Sequence, residues 1–489
     1  MAVPSPPAHA DAGYTVDDYL AKVVDSGVPG IAVSVMRDNE VAQTSAAGEA
    51  EDDRPMTADT PLRIESLSKS FTAMAVMQLE EHDKIDLDKQ VRTYLPEFTI
   101  DDPRGGGITV RQLLNQTSGM TDATAPNLYD GGITTLKQSV AHLKTATLAA
   151  DPGAAFNYHN PNYHVLARMV EVISGEQFDY YLSQHVFKPL NMTSTKDTQQ
   201  STDRVPAMAR GHSIVYGKAF DSDGSGYFSE GSGGVVSTAN DMSKWLQMQS
   251  SGGRTPDGTR LVSQEAIDLM HTPGSKASNG YGFGWYNAES AEGPPVRISH
   301  SGAGAGFGAY QGIFTESGDS IVVMINSGTG ITSPDPGVLA QNLLHDLNPE
   351  IPALQAFSNG VWTDLILTGL GLITVALAVV GLVRARRWGQ RRAGRSKIWT
   401  ILRLIPPLIP IAWVLALPSL QLLLTGRTAP YSLLFHVSPV ALIWFFTWAI
   451  VCGALVAVRI VSYVRSERLD STSTGPKGDD SSAPAESCR

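Results

Sequence analysis

From Thr15 to Asn326 short stretches of helical and strand-like apolar spacing alternate; beyond Leu365 they give way to long uncharged apolar runs. Thr15 and Asp18 stand as a capping box and predict a helix to about Ser26, stopped by Gly27. Residues 31–36 and 41–45 read as strands joined at Asp38-Asn39. Residues 68–81 carry Phe71, Met74, Ala75 and Gln78 three and four apart, which predicts a helix. A short helix begins at 110–114 and ends near Thr117-Ser118-Gly119, while 121–155 shows no usable period. Asn160 followed by Pro161 predicts an N-cap and first turn for a helix through Leu166, Met169, Val170 and Ile173, ended by Gly175. Ser237-Thr238 caps another helix to about Met248. Residues 281–285 read as a Gly-rich strand, and 296–299, 307–314 and 321–326 as further strands. Three late strands point to an antiparallel sheet with helices between its early and late members, an α/β (α+β) sandwich.

The far end of the chain has another character. Residues 365–383 form an uncharged apolar run of 19, long enough to cross a bilayer. A loop at 384–397 holds seven Lys/Arg. A second apolar run, 398–424, contains Pro406, Pro407 and Pro410, which should kink it, and Arg403, which can snorkel. After a short loop at 425–438 comes a third run, 439–458, bounded by Arg459, Arg465 and Arg468. The positive-inside rule puts the 384–397 loop and the C-terminal tail in the cytoplasm, and the N-terminal domain and the 425–438 loop outside a cell membrane crossed three times.

Composition sharpens this division. The formal charge of −11 conceals 14 Lys+Arg against 5 Asp+Glu from Leu365 onward, so residues 1–364 carry −20. An acidic ectodomain on a basic membrane part argues against nucleic acid as a partner. The two cysteines, Cys452 and Cys488, both lie beyond the ectodomain, which therefore has no internal disulfide, thiolate nucleophile or Cys-based metal site. The first 13 residues lack a basic and then an apolar region, yet Ala8-His9-Ala10 before Asp11 has the small-x-small form of a signal peptidase site. They read as a leader or the remnant of an export signal. The expected organisation is that leader, a catalytic domain at 14–347, a linker at 348–364, the three spans, and a polar tail at 459–489 that is disordered from Asp470.

Candidate chemistry begins at Ser66-Leu67-Ser68-Lys69, the one place where a Ser is followed three positions later by Lys. On a helix both side chains project from one face. A Ser hydroxyl needs a base to take its proton, and a Lys one turn away serves if burial depresses its pKa. The helix start also offers unpaired N–H groups to a developing oxyanion. Tyr158 and Asn160 sit in the loop entering the 160–175 helix; a phenol beside an ammonium can have its pKa lowered and accept a proton. His300-Ser301-Gly302 follows the 296–299 strand.

Taken in order, Ser66-x-x-Lys69, Tyr158-x-Asn160 and His300-Ser301-Gly302 resemble the motif set of the serine β-lactamase and penicillin-binding protein superfamily, in its class C-like branch of serine hydrolases. The resemblance spans about Tyr14 to Asp346 and includes Leu113-Leu114 through Gly119, Gly233 through Asp241, and Tyr281 through Trp285. It implies the β-lactamase/transpeptidase-like fold, an antiparallel sheet with flanking helices, here followed by a three-helix transmembrane region. It implies Ser66 as nucleophile, Lys69 as proton shuttle and Tyr158 as general base. Asn160 would hydrogen-bond Lys69 and a substrate amide, and His300, Ser301 and Gly302 would line the strand against which substrate lies. The backbone N–H groups of Ser66 and Ala303 would form the oxyanion hole. No cofactor or metal is implied. The expected activity is hydrolysis through an acyl-enzyme on a cell-wall D-amino-acid peptide, a small ester or a β-lactam. One departure matters: the third motif usually begins with Lys, and His300 would instead titrate near pH 6.5, which puts efficient β-lactam hydrolysis in doubt. The class A Ser-Asp-Asn motif with its Glu base is not found. The alternatives are a penicillin-binding sensor, against which a complete site with Tyr158 argues, and a silent scaffold of the same fold.

Overall fold

Seven strands in the order β3–β2–β1–β7–β6–β5–β4 make the central sheet of the computed structural model: β1 Gly30–Arg37, β2 Glu40–Glu51, β3 Arg54–Pro55, β4 Tyr286–Ala288, β5 Arg297–Ala303, β6 Gly308–Phe314 and β7 Asp319–Ile325. The structure describes residues 15–473 apart from 127, 130–131, 223, 225, 256, 289–296, 316, 329, 331–332, 348–352 and 354–359. The expected leader, most of the linker and the tail beyond 473 lie outside the described residues.

All neighbours in the sheet are antiparallel, and its first and last segments meet at its centre, where Ile31 pairs with Ile325 and Val33 with Val323. Side chains alternate between faces along a strand. Ile31, Val33 and Val35 on β1, with Ile321, Val323 and Ile325 on β7, pack against helices α1 (Val16–Asp25) and α5 (Pro336–Leu347) through Leu20, Val23, Leu339 and Leu343. Ala32, Met36, Val322 and Met324 face the opposite way, into a larger core shared with α2 (Ser68–Glu81), α3 (Asn160–Ser174) and α4 (Ala239–Ser250). Burial on both faces makes residues 321–325 of β7 a continuous apolar run, whereas β6 buries Gln311 among its apolar residues. Helix α2 lies in the middle of the larger core, buried along its whole length from Ser68 to Leu79. Phe71 stacks on Trp245 of α4 at 4.0 Å between ring centroids and meets Phe187 edge-on at 5.6 Å.

The local signals predicted these elements well. The Thr15–Asp18 capping box is formed, Asp38 and Asn39 adopt the positive φ of a tight hairpin turn, and Thr238 caps α4. Residues 281–285 are not a strand: Tyr281 makes a single bridge to Tyr286, and the strand is the segment after it. Gly284, at φ +79, brings the chain so near α2 that an added Cβ would lie 2.7 Å from the backbone nitrogen of Ser70. That is a crossing, not a ladder. A helix at Leu136–His142 fills part of the stretch that showed no period. The first helical residue of α3 is Asn160 itself, and the N-cap is His159.

The chain forms two compact units, residues 1–364 with 418–439, and residues 365–417 with 440–489. The expected outer loop at 425–438 thus belongs to the first unit, with the expected catalytic domain. Among the described residues three helices are long and apolar enough to cross a membrane: Val361–Val383, Pro406–Thr425 and Pro439–Asp470. The second begins later than expected because Pro406 and Pro407 break the run into a short helix, Lys397–Leu402, and a separate one. The third continues to Ser473, well past its apolar part, so the start of the expected disordered tail is helical.

Candidate active site

Ser66 sits in a 3₁₀ turn, Glu65–Leu67, that leads directly into α2. The turn is fixed from several sides. Ser68 Oγ donates to the Glu65 carbonyl at 2.6 Å and accepts from the Val235 N–H at 3.0 Å, and Ser70 Oγ donates to the Leu67 carbonyl at 2.7 Å. Glu65, just before the nucleophile candidate, is held at φ +51, a strained position for a side chain with a Cβ. Strand β5 approaches this turn closely at Gly302, where an added Cβ would collide with the carbonyl oxygen of Ile64.

Lys69 is fully buried. Its Nζ lies 3.1 Å from Ser66 Oγ and 2.7 Å from the Ser232 carbonyl oxygen. The Gly231–Gly234 turn delivers that carbonyl because Thr72 on α2 bonds the carbonyl of Gly231 at 2.6 Å. Burial, reinforced by the Arg427 charge, holds the Lys69 amine well below the usual lysine range. Nζ thus touches both the Ser232 carbonyl and Ser66 Oγ, a geometry along which a proton can pass between amine and hydroxyl. Asn160 makes no hydrogen bond to Lys69: its Oδ1 is buried without a partner among the described residues. The Ser232 carbonyl has taken the place expected of it.

Tyr158 comes to the same point from the loop before α3. Its ring centroid is 4.8 Å from Lys69 Nζ, and its phenol interacts with the Ser66 hydroxyl. The loop is pinned by Gln116, whose Oε1 accepts from the His159 N–H at 3.1 Å and from Asn162 Nδ2 at 2.6 Å, and by His159 Nδ1, which lies 2.7 Å from Asp122 Oδ1. The phenol was expected to be lowered by an ammonium. Instead burial pushes it above the ordinary tyrosine range, with Arg427 and the Ser66 hydrogen bond opposing. The phenol's own desolvation outweighs both.

His300 also departs from expectation. It is 3 % exposed, with Nδ1 2.8 Å from the Ser301 carbonyl oxygen and Nε2 3.1 Å from the Tyr281 hydroxyl. A carbonyl only accepts, so Nδ1 carries the proton and Nε2 accepts from Tyr281. Burial, then the Lys69 charge, pushes the imidazole down to about 3. It is therefore a neutral wall of the site rather than a group titrating near pH 6.5. The His300 ring resonances should stay fixed between pH 5.5 and 8 in NMR spectra; movement over that interval would show a charged form. Ser301 and Ala303 border a cavity of about 880 Å³ together with Ser66, Tyr158, His300 and Arg427. Strand β4 pairs with β5 only at Arg297–Ser299, which leaves the edge at Ser301–Ala303 beside the cavity.

Four contributors were not visible as site residues in the sequence: Glu65, Asp122, Ser232 and Arg427. Arg427, from the segment between the second and third apolar helices, donates from Nε to Asp122 Oδ2 at 3.0 Å, and its guanidinium carbon lies 4.9 Å from the Tyr158 ring centroid. Glu65 is buried against Arg63 and Lys69, and burial pushes its carboxyl up to about 7 despite those cations and a Tyr227 hydrogen bond. A carboxyl raised from 4.5 favours the fold most below pH 4.5, and that contribution is lost as pH rises through about 7. Glu65→Gln removes the titration. Relative to the variant, the wild type should lose on the order of 3 kcal/mol between pH 4.5 and 7, read as a fall in Tm that the variant lacks. Parallel Tm profiles would refute this. No group of three or more His, Cys, Asp or Glu able to hold a metal occurs among the described residues.

Residues 16–343 match the Beta-lactamase family. The chain is 30 % identical over 323 residues to the "Putative penicillin-binding protein PbpX" of Bacillus subtilis (strain 168), covering 65 % of this chain and 74 % of that one. Its fold is similar to that of an octameric penicillin-binding protein homologue from Pyrococcus abyssi, at a TM-score of 0.58 and 24 % identity over 73 % of this chain and 82 % of that one. It is also similar to a D-stereospecific amidohydrolase from Streptomyces sp., at 0.52 and 25 % over 63 % and 93 %. With Ser66, Lys69, Tyr158 and the β5 edge converging on one cavity, and with this match across the catalytic unit, the chain belongs to the β-lactamase family, among its penicillin-binding-protein-like serine hydrolases.

Proposed function

We propose that the protein is a membrane-anchored, outward-facing serine hydrolase that opens amide or ester bonds of small acyl donors through an acyl-enzyme on Ser66, with cell-wall peptides ending in D-amino acids as its foremost substrates. The observation that carries this is the 3.1 Å approach of a fully buried Lys69 amine to Ser66 Oγ at the wall of an 880 Å³ cavity. Lys69, whose burial favours the neutral amine, takes the Ser66 proton as Oγ attacks the substrate carbonyl. The N–H groups of Ser66 and Ala303 receive the oxyanion. Tyr158, kept protonated, is suited to relay a proton to the leaving group and, after it departs, to orient the water that releases the acyl group. Asn160, expected to meet a substrate amide, is not among the residues that line the cavity, and its Oδ1 is buried. The D-stereospecificity in the name of the amidohydrolase supports the choice of substrate class. The seven cations at 384–397 support the orientation, as does the packing of residues 418–439 with the catalytic unit.

The full chain, purified in detergent, should be offered a D-Ala-D-Ala peptide, a p-nitrophenyl ester and nitrocefin. Turnover of the peptide or the ester, with an acyl adduct on the Ser66 peptide by mass spectrometry, is the expected result. No turnover of any of the three, with no adduct, would overturn the assignment.

A further inference from the structure

We propose that Arg427 is the residue that recognises a carboxylate on the substrate, so that this enzyme selects acidic acyl donors with a cation supplied by the loop between two of its apolar helices. The proposal rests on the hydrolase reading of the same site.

His300 cannot do this work: it is buried, and both ring nitrogens are already engaged, by Tyr281 and by the Ser301 carbonyl. Lys69 is turned to Ser66 and Ser232. Two guanidinium groups border the cavity, Arg297 and Arg427. Arg297 is directed to Gln341 Oε1 at 3.1 Å, on the side of β5 that faces α5. Arg427 lies over the Tyr158 ring, and Tyr158 adjoins Ser66, so a carboxylate a few bonds from the scissile carbonyl falls within its reach.

The guanidinium is held in a fixed attitude. Asp122 accepts from Arg427 Nε at 3.0 Å and from the Thr428 N–H at 3.0 Å through one oxygen, while its other oxygen faces His159 Nδ1 at 2.7 Å. That uses the inner nitrogen of Arg427. The two terminal nitrogens make no hydrogen bond among the described residues, and the side chain keeps 29 % of its exposure. A planar pair of N–H donors, oriented and open to a cavity, matches the two oxygens of a carboxylate. The segment is tied down again at its far end, where Ser213 Oγ donates to the His436 carbonyl at 2.7 Å. Residues 418–439 therefore complete the pocket of their own unit, and a chain ending at residue 364 would lack this cation.

The test compares two substrates with the same acyl group, a peptide ending in free D-Ala and its C-terminal amide, on the full chain in detergent. In Arg427→Gln the ratio of kcat/KM for acid over amide should fall by roughly 10- to 100-fold, mostly through KM; Arg427→Lys should recover part of it. Fluorophosphonate labelling of Ser66 verifies that the variant still folds. An equal loss on both substrates, carried by kcat, would show that Arg427 only positions Tyr158 and would overturn the proposal. A fall of the ratio in Arg297→Gln but not in Arg427→Gln would overturn it as well. Failure of the wild type on both substrates would instead strike the hydrolase reading.

Discussion

Ser66→Ala should abolish labelling by a fluorophosphonate and reduce turnover of any accepted ester or peptide by ~10⁴-fold or more. No other hydroxyl in the site combines partial exposure at the cavity with a base: Ser68 and Ser70 are buried and spend their hydroxyls on the carbonyls of Glu65 and Leu67. Lys69→Ala should lower the rate of acylation by about 10²- to 10⁴-fold while leaving substrate affinity nearly intact, because the amine acts on the proton of Ser66 and not on the bound substrate. The sharper variant is Lys69→Arg. It places a permanent cation of similar length there, but a guanidinium does not deprotonate in proteins and cannot accept the Ser66 proton. A rate for Lys69→Arg close to wild type would mean that the site needs a charge there, and the neutral-amine mechanism would be lost. Continued labelling of Ser66→Ala would remove Ser66 from its role altogether.

What the sequence made legible was local. The Ser66–Lys69 spacing, the Thr15 capping box, the Thr238 cap and the Gly175 stop each depend on residues within one turn, and each is found where it was expected. Of the late strands, residues 321–325 were the most legible, because burial on both faces leaves that run uninterruptedly apolar. What was misread depends on burial and partners that no spacing encodes. His300 was expected to titrate in the physiological range, yet Tyr281 and the Ser301 carbonyl enclose it. Lys69 was expected to lower the Tyr158 phenol, but burial of the phenol itself outweighs the groups that lower it. Asn160 was expected to hold Lys69, and a carbonyl from the Gly231–Gly234 turn does so. Arg427 lies in the short loop at 425–438, where no spacing pointed to a site. Its partner Asp122 is 305 positions away, in a stretch whose pattern had no period to read.

Gly302→Ala should cost activity out of proportion to its size. Gly302 pairs with Ala309 on β6 and backs onto the turn that carries Ser66. The added methyl would collide with the carbonyl oxygen of Ile64 and stand 3.0 Å from Glu65 Cβ, and neither neighbour is a flexible side-chain end that can swing aside. Overpacking of this kind costs roughly 1–3 kcal/mol in stability, which the sheet can bear because β5 is held on its inner side along its whole length by β6. The chemistry cannot bear it so easily. Either the β5 edge or the Glu65–Leu67 turn must move, and both proposed oxyanion donors, Ser66 and Ala303, ride on those two elements. A displacement near 1 Å between groups that must meet a single oxygen costs on the order of 10²-fold in rate. The expected result is a folded protein whose kcat/KM falls by roughly 10²-fold on every substrate, with the loss in kcat. Unchanged kcat would show that the gap between β5 and the turn has slack, and the assignment of Ala303 to the oxyanion hole would lose its support.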